Sequence, residues 1–114
     1  MTEGKIQAAD IEMVIAYITV PDLECAHKIA HSAVRARLAA CANIVPAMIS
    51  VYEWNGEIEE SSETILLLKT QKDIFAQLQA HVLAVHPYDT PCILEMPLGR
   101  INDGYASWLR SQVG

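Results

Sequence analysis

Cysteine is scarce: Cys25, Cys41 and Cys92 are the three in the chain, an odd number with no C-x-x-C spacing. They build neither a disulfide framework nor a zinc knuckle, and reduced, mostly buried thiols are expected. Long apolar runs are missing as well. Ile65-Leu66-Leu67-Leu68 is typical of the longest, far short of the ~20 residues that cross a bilayer, so no membrane partner is expected. Basic residues number eight against fourteen acidic ones, a formal charge of -6. That balance repels a phosphate backbone, which excludes nucleic acid as a partner. Charged residues amount to only 19% while apolar residues reach 52%, so the chain lies outside the disordered class. With 114 residues there is material for one core and none for a second. Residues 1–12 read as an amino-terminal tail and residues 13–114 as a single domain. Met1 to Lys5 carries neither the basic start nor the apolar middle of a secretory leader, which makes the cytoplasm the expected compartment. No Gly-rich phosphate loop, Gly-x-Ser-x-Gly or His-Glu-x-x-His occurs, so the usual nucleotide, hydrolase and metalloprotease signatures are absent.

What is present alternates between two periodicities. Residues 13–20 (MVIAYITV) form a β-branched apolar run that Pro21-Asp22 stops, predicting a buried strand and a helix start. Leu23, Ala26, Ala30, Ala33, Val34 and Leu38 then mark one stripe of a helix. Residues 42–54 predict a second strand, and Asn55-Gly56, the strongest short hairpin signal, turns it into a third over 57–69. Pro46 cannot donate a ladder hydrogen bond, so the second strand must be an edge or carry a bulge there. Thr70 with Asp73 resembles a capping box for a second helix that ends before His86-Pro87. A fourth strand follows over 92–96, and Asp103 is placed to cap a last short helix carrying Tyr105, Trp108 and Leu109 inward. The order β-α-β-β-α-β predicts an α+β, ferredoxin-like fold with both helices on one face of an antiparallel sheet. The other face stays bare and the hairpin strands far exceed the typical ~5 to 6 residues, which implies an oligomer.

Several chemistries can be weighed on this frame. Three scattered cysteines cannot hold an iron-sulfur cluster, and SETILLLKT on the third strand is no RNA-binding motif. His27 and His31 stand four apart on the first helix with Glu24 a turn earlier, but Lys28 and Arg35 beside them oppose a metal, so a solvated face is the favoured reading. Glu53, Glu57, Glu59, Glu60 and Glu63 could hold a hard cation weakly, although a charged tip that discourages edge pairing explains them better. Cys41 reads as a small hydrophobe before it reads as a nucleophile. Lys69, ending an apolar strand, calls for an anionic ligand, an ion pair with Glu63, or a partner on a neighbouring subunit. His86, in His86-Pro87-Tyr88, is a metal ligand, a pH-sensitive hydrogen bonder or, preferably, a cap on the last carbonyls of the second helix.

Val20-Pro21-Asp22, LAACANIVP (38–46), VYEWNGEIEE (51–60), LLLKT (66–70), HPYDTPCIL (86–94) and YASWL (105–109) together resemble the CutA family, proteins associated with divalent-cation tolerance. The resemblance covers residues 13–109. It implies a homotrimer of ferredoxin-like subunits whose long hairpins pair between neighbours, and a likeness to PII-type signalling proteins. Copper binding in the family is tied to a strand-one cysteine and a His-His pair. Ile18 and Val85 stand at the matching positions here, leaving His86 as the remaining ligand for Cu(II) or another divalent metal.

Three readings follow. The first is a non-enzymatic cytoplasmic homotrimer for divalent-cation tolerance that binds cations weakly through His86. The second is a sensor of a small anionic effector in inter-subunit clefts lined by Cys41, Tyr52, Trp54, Glu63, Lys69 and Tyr88. The third is a trimeric scaffold without a ligand.

Overall fold

A computed structural model describes residues 12–114, so the expected tail (1–12) lies outside the described residues except for Glu12. The elements are β1 (Met13–Val20), α1 (Leu23–Arg35), β2 (Cys41–Trp54), β3 (Glu57–Gln71), α2 (Phe75–Leu83), β4 (Ile93–Pro97) and α3 (Asp103–Ser111). They form an α+β arrangement with one four-stranded sheet in the order β2-β3-β1-β4. Every pairing in it is antiparallel. β1 is paired on both sides, which is why its residues are apolar apart from Tyr17 and Thr19 and nearly all buried.

The period of two divides the sheet. Ala16, Ile18 and Val20 of β1 and Leu66 and Leu68 of β3 point to the side where Ile29, Ala30 and Ala33 of α1 and Leu78 and Val82 of α2 close over them. Small alanines on the buried face of α1 let that helix lie close to the strands. Its buried stripe is Ala26, Ile29, Ala30 and Ala33, whereas Leu23 and Val34, expected on that stripe, are exposed. A second cluster of Met13, Ala40, Leu109 and Val113 seats α3 at the end of the sheet.

Local signals explain the element ends. The Asp22 carboxylate accepts from the Cys25 N–H at 2.8 Å and starts α1. At its other end the Leu38 N–H bonds the Ala33 carbonyl and the Arg37 N–H bonds the Val34 carbonyl, a Schellman stop. Arg37, not glycine, takes the left-handed position, with φ 61°. Its guanidinium ties down the carboxyl-terminal segment by donating to the Ser111 and Gly114 carbonyls.

Asn55 and Gly56 turn the hairpin with φ 51° and 81°, the positive values a type I′ turn requires. Both expectations for Pro46 hold: β2 is an edge strand and its register slips between Val45 and Met48. Because the hairpin projects beyond the helices, the chain measures 59 × 25 × 21 Å.

Two expected caps differ. β3 extends to Gln71, so Thr70 is a fully buried strand residue whose hydroxyl donates to the Leu38 carbonyl at 2.7 Å. A 3₁₀ turn, Lys72–Ile74, leads into α2 without a side-chain cap. For α3 the cap is Asn102, whose side chain accepts from the Tyr105 N–H, and not Asp103. Ala106 and Leu109 turn inward on α3, while Tyr105 and Trp108 stay largely exposed.

Candidate functional site

Five of the six residues expected to line a cleft fall into two clusters on the face of the sheet opposite α1 and α2. Glu63 and Lys69 share that face because both are odd-numbered on β3, opposite in parity to the buried Leu66 and Leu68. Six residues of strand separate them, about 20 Å at ~3.3 Å per residue.

The first cluster lies where the hairpin leaves the body. The slip at Pro46 reverses the side-chain alternation of β2 and brings Ser50 and Tyr52 to the face of Glu63. One Glu63 oxygen accepts from the Ser50 hydroxyl at 2.6 Å and the other from the Tyr88 hydroxyl at 3.0 Å. Burial, followed by the bond to Glu63, pushes the Tyr88 phenol up to about 12, with smaller contributions from the carboxylate charge, Cys25 and Tyr52. Tyr88 therefore serves as a neutral donor and not as a base near neutral pH.

His86 stands behind this pair. One ring nitrogen, Nε2, lies 2.9 Å from the Thr19 carbonyl, and Nδ1 accepts from the Tyr88 backbone N–H at 3.1 Å. A carbonyl only accepts and an N–H only donates, so the proton sits on Nε2 and the Nδ1 lone pair is already used. The expected cap on α2 is made differently: the backbone N–H of His86, not its ring, reaches the Val82 carbonyl. Its imidazole clamps the loop before β4 to the end of β1.

The second cluster is at the other end of β3. Lys69 pairs across the ladder with Cys41. Its ammonium donates to the Tyr105 hydroxyl at 3.0 Å and lies 5.2 Å from the centre of that ring. The bond to Tyr105 raises the Lys69 pKa, with burial acting in the opposite direction. Glu63 is therefore not its ion-pair partner; Lys72 with Glu12 is the one ion pair among the described residues. The Cys41 thiol lies 3.9 Å from the Asn43 side-chain oxygen. Trp54, at the tip of β2, is 63% exposed and belongs to neither cluster. A single chain thus divides the six expected cleft residues into Glu63, Tyr88 and Tyr52, then Lys69 and Cys41, with Trp54 apart.

Ser50, Thr19 and Tyr105 complete these clusters and were not legible as site residues. A slip at Pro46, counted through to Ser50, is the signal that would have found the first of them. Thr19 acts through its backbone, which no side-chain pattern marks.

A transition metal is poorly served by this set. Ile18 is fully buried in the core and Val85 is 55% exposed, and neither offers a donor atom. Among the described residues no group of three or more His, Cys, Asp or Glu is arranged to hold a metal ion. Burial, then the nearby Asp22, raises the Cys25 thiol, and burial, then Glu63, raises that of Cys92, which disfavours the thiolates a soft metal would need. These residues do not fit a copper centre.

Comparison with known proteins agrees with the arrangement of elements. The family model described as CutA1 divalent ion tolerance protein matches residues 14–112. The divalent-cation tolerance protein CutA of Thermus thermophilus is 45% identical over 100 residues, covering 88% of this chain and 97% of its own. The chloroplastic CutA protein of Arabidopsis thaliana is 41% identical over 89% of this chain but only 56% of its own length. The chain thus spans little more than half of such longer relatives. Among solved structures, rice CutA1 superposes with a TM-score of 0.89 at 36% identity, covering 91% of this chain and 95% of that one. The Thermus thermophilus protein gives 0.86 at 44% identity over 90% and 99%. With the match running from β1 through α3, the chain belongs to the CutA1 divalent ion tolerance family.

Proposed function

We propose that this protein acts in divalent-cation tolerance as a non-enzymatic cytoplasmic homotrimer of ferredoxin-like subunits. The observation that carries the reading is the uncovered apolar surface of the sheet and hairpin. Leu94 and Met96 of β4 are exposed beside Ile15 and Tyr17, and Ile49, Val51, Trp54 and Ile58 are more than half exposed along the hairpin. Side chains of this size hold the projecting hairpin in place only when a partner covers them. β2 also has an unpaired edge, which suits strand addition by a second copy.

Direct cation binding is weak in this reading, because His86 can take a metal only by releasing the Tyr88 N–H from Nδ1. Native mass spectrometry with and without stoichiometric Cu(II) tests both parts. A trimer that stays bare makes cation tolerance an indirect effect of the protein. A trimer that takes up about one copper per chain restores direct metal binding. A monomer overturns the assembly.

Lys69 favours a second reading, a sensor of a small anionic effector between subunits. Its ammonium meets a neutral hydroxyl and a ring, with no carboxylate partner among the described residues. Thermal-shift screening with organic acids and nucleotides tests it, since a ligand that binds only the folded protein raises the midpoint. No shift with any of them removes this reading.

A further inference from the structure

Between α1 and α2 runs a groove of about 560 Å³ whose polar lining is His27, Lys28, His31, Ser32, Arg35 and His81. None of the residues by which α1 packs on the sheet takes part. Two permanent cations and three imidazoles meet there without a carboxylate, in a chain whose formal charge is -6. The His27 and His31 rings lie 6.3 Å apart, and Ser32 Oγ is 2.7 Å from His81 Nε2, which fixes that imidazole in the groove.

Cation binding is opposed here by Lys28 and Arg35. An oxyanion fits the same donors: a guanidinium forks two hydrogen bonds, an ammonium adds a point charge, and imidazole N–H and hydroxyl groups donate to the remaining oxygens. The volume suits a small molecule and exceeds what a bare ion needs.

We propose that the α1–α2 groove binds a multiply charged phosphate-type oxyanion, held by Lys28 and Arg35 with the His27, His31 and His81 rings and the Ser32 hydroxyl around it. Glu24 lies one turn earlier on α1, and Cys41 of β2 with Trp108 of α3 flanks the far side of His27 and His31. Arg35 stands in the last turn of α1, where the helix dipole also favours a cation. Lys69 lies on the opposite face of the sheet, so the site is independent of the effector reading above.

Titration with sulfate tests the site on the full chain. Imidazole ring signals are followed by NMR at fixed pH and ionic strength. Saturable shifts are expected at His27, His31 and His81 but not at buried His86. Pyrophosphate should bind more tightly than sulfate at equal pH. Replacing both Lys28→Gln and Arg35→Gln should weaken binding at least about ten-fold with the helical signal intact. If that pair unfolds the protein, each single substitution should weaken binding alone. Non-saturating shifts, the same response to chloride, or undiminished binding in the variants would overturn the proposal.

Discussion

Tyr88 donates its phenolic proton to Glu63 across 3.0 Å, fastening the loop before β4 to the third strand. Burial, and after it the bond to Glu63, holds the phenol neutral, with its pKa raised to about 12 from the ~10 of an unfolded chain. A raised folded-state value stabilises the protonated form. The contribution is therefore complete below about pH 10 and is lost as pH climbs towards about 12. One of the four tyrosines should ionise last in an alkaline absorbance titration, and Tyr88→Phe should remove that step. The variant should also lose less stability than the parent over the same window. A Tyr88→Phe titration with the late step still present would assign the shift to another residue.

Thr70 gives the sharpest test of a buried polar contact. Its hydroxyl is wholly buried and donates to the Leu38 carbonyl at 2.7 Å, joining β3 to the segment after α1. Thr70→Val keeps the shape and leaves that carbonyl without its partner, a loss of about 1–3 kcal/mol. Thr70→Ser keeps the bond and should recover most of it. Urea unfolding measures both; equal losses would mean that the methyl group, not the hydroxyl, matters.

Arg37 combines an unfavourable backbone with a useful side chain. Glycine would relieve the left-handed strain by about 1 kcal/mol. It would also remove the guanidinium that binds the Ser111 and Gly114 carbonyls. Arg37→Gly should leave overall stability within about 1 kcal/mol while amides of residues 111–114 exchange faster. Arg37→Ala, which keeps the strain and loses the bonds, should be the less stable of the two. Unchanged exchange at the carboxyl terminus in both would show that the Arg37 side chain does not hold the carboxyl-terminal segment in place.

The fold was legible where chemistry is local. Asn55-Gly56 can hardly do anything but turn, Asp22 caps the helix it precedes, and Pro46 carries its slip on an edge strand. Failures came where several elements compete for one residue. Thr70 has the look of a cap, yet the ladder with β1 continues through it to Gln71 and draws its hydroxyl elsewhere. Tyr105 and Trp108 have the size of core residues, but α3 buries only one narrow stripe and turns both aromatic rings largely outward. The site was legible as residue types and not as a grouping. Distance along β3 separates Glu63 from Lys69, and a reversal of β2 that depends on one register slip brings Ser50 to Glu63.

The same parity predicts different consequences at adjacent residues of β3. Leu66 is fully buried under the helices, whereas its neighbour Ile65 is half-buried on the open face and pairs with Thr19. Leu66→Ala should destabilise the subunit itself by about 2–5 kcal/mol through the cavity it leaves. Ile65→Asp places a charge on the surface that the proposed trimer buries, where an unpaired carboxylate is strongly disfavoured. In light scattering Ile65→Asp should fall to the mass of one chain, while Leu66→Ala keeps the assembled mass up to its lowered melting point. Trp54→Glu, on the exposed hairpin, separates assembly from folding because Trp54 belongs to neither core cluster of the subunit. If Ile65→Asp and Trp54→Glu both kept the assembled mass, the open face and hairpin would not be the surfaces that join the subunits.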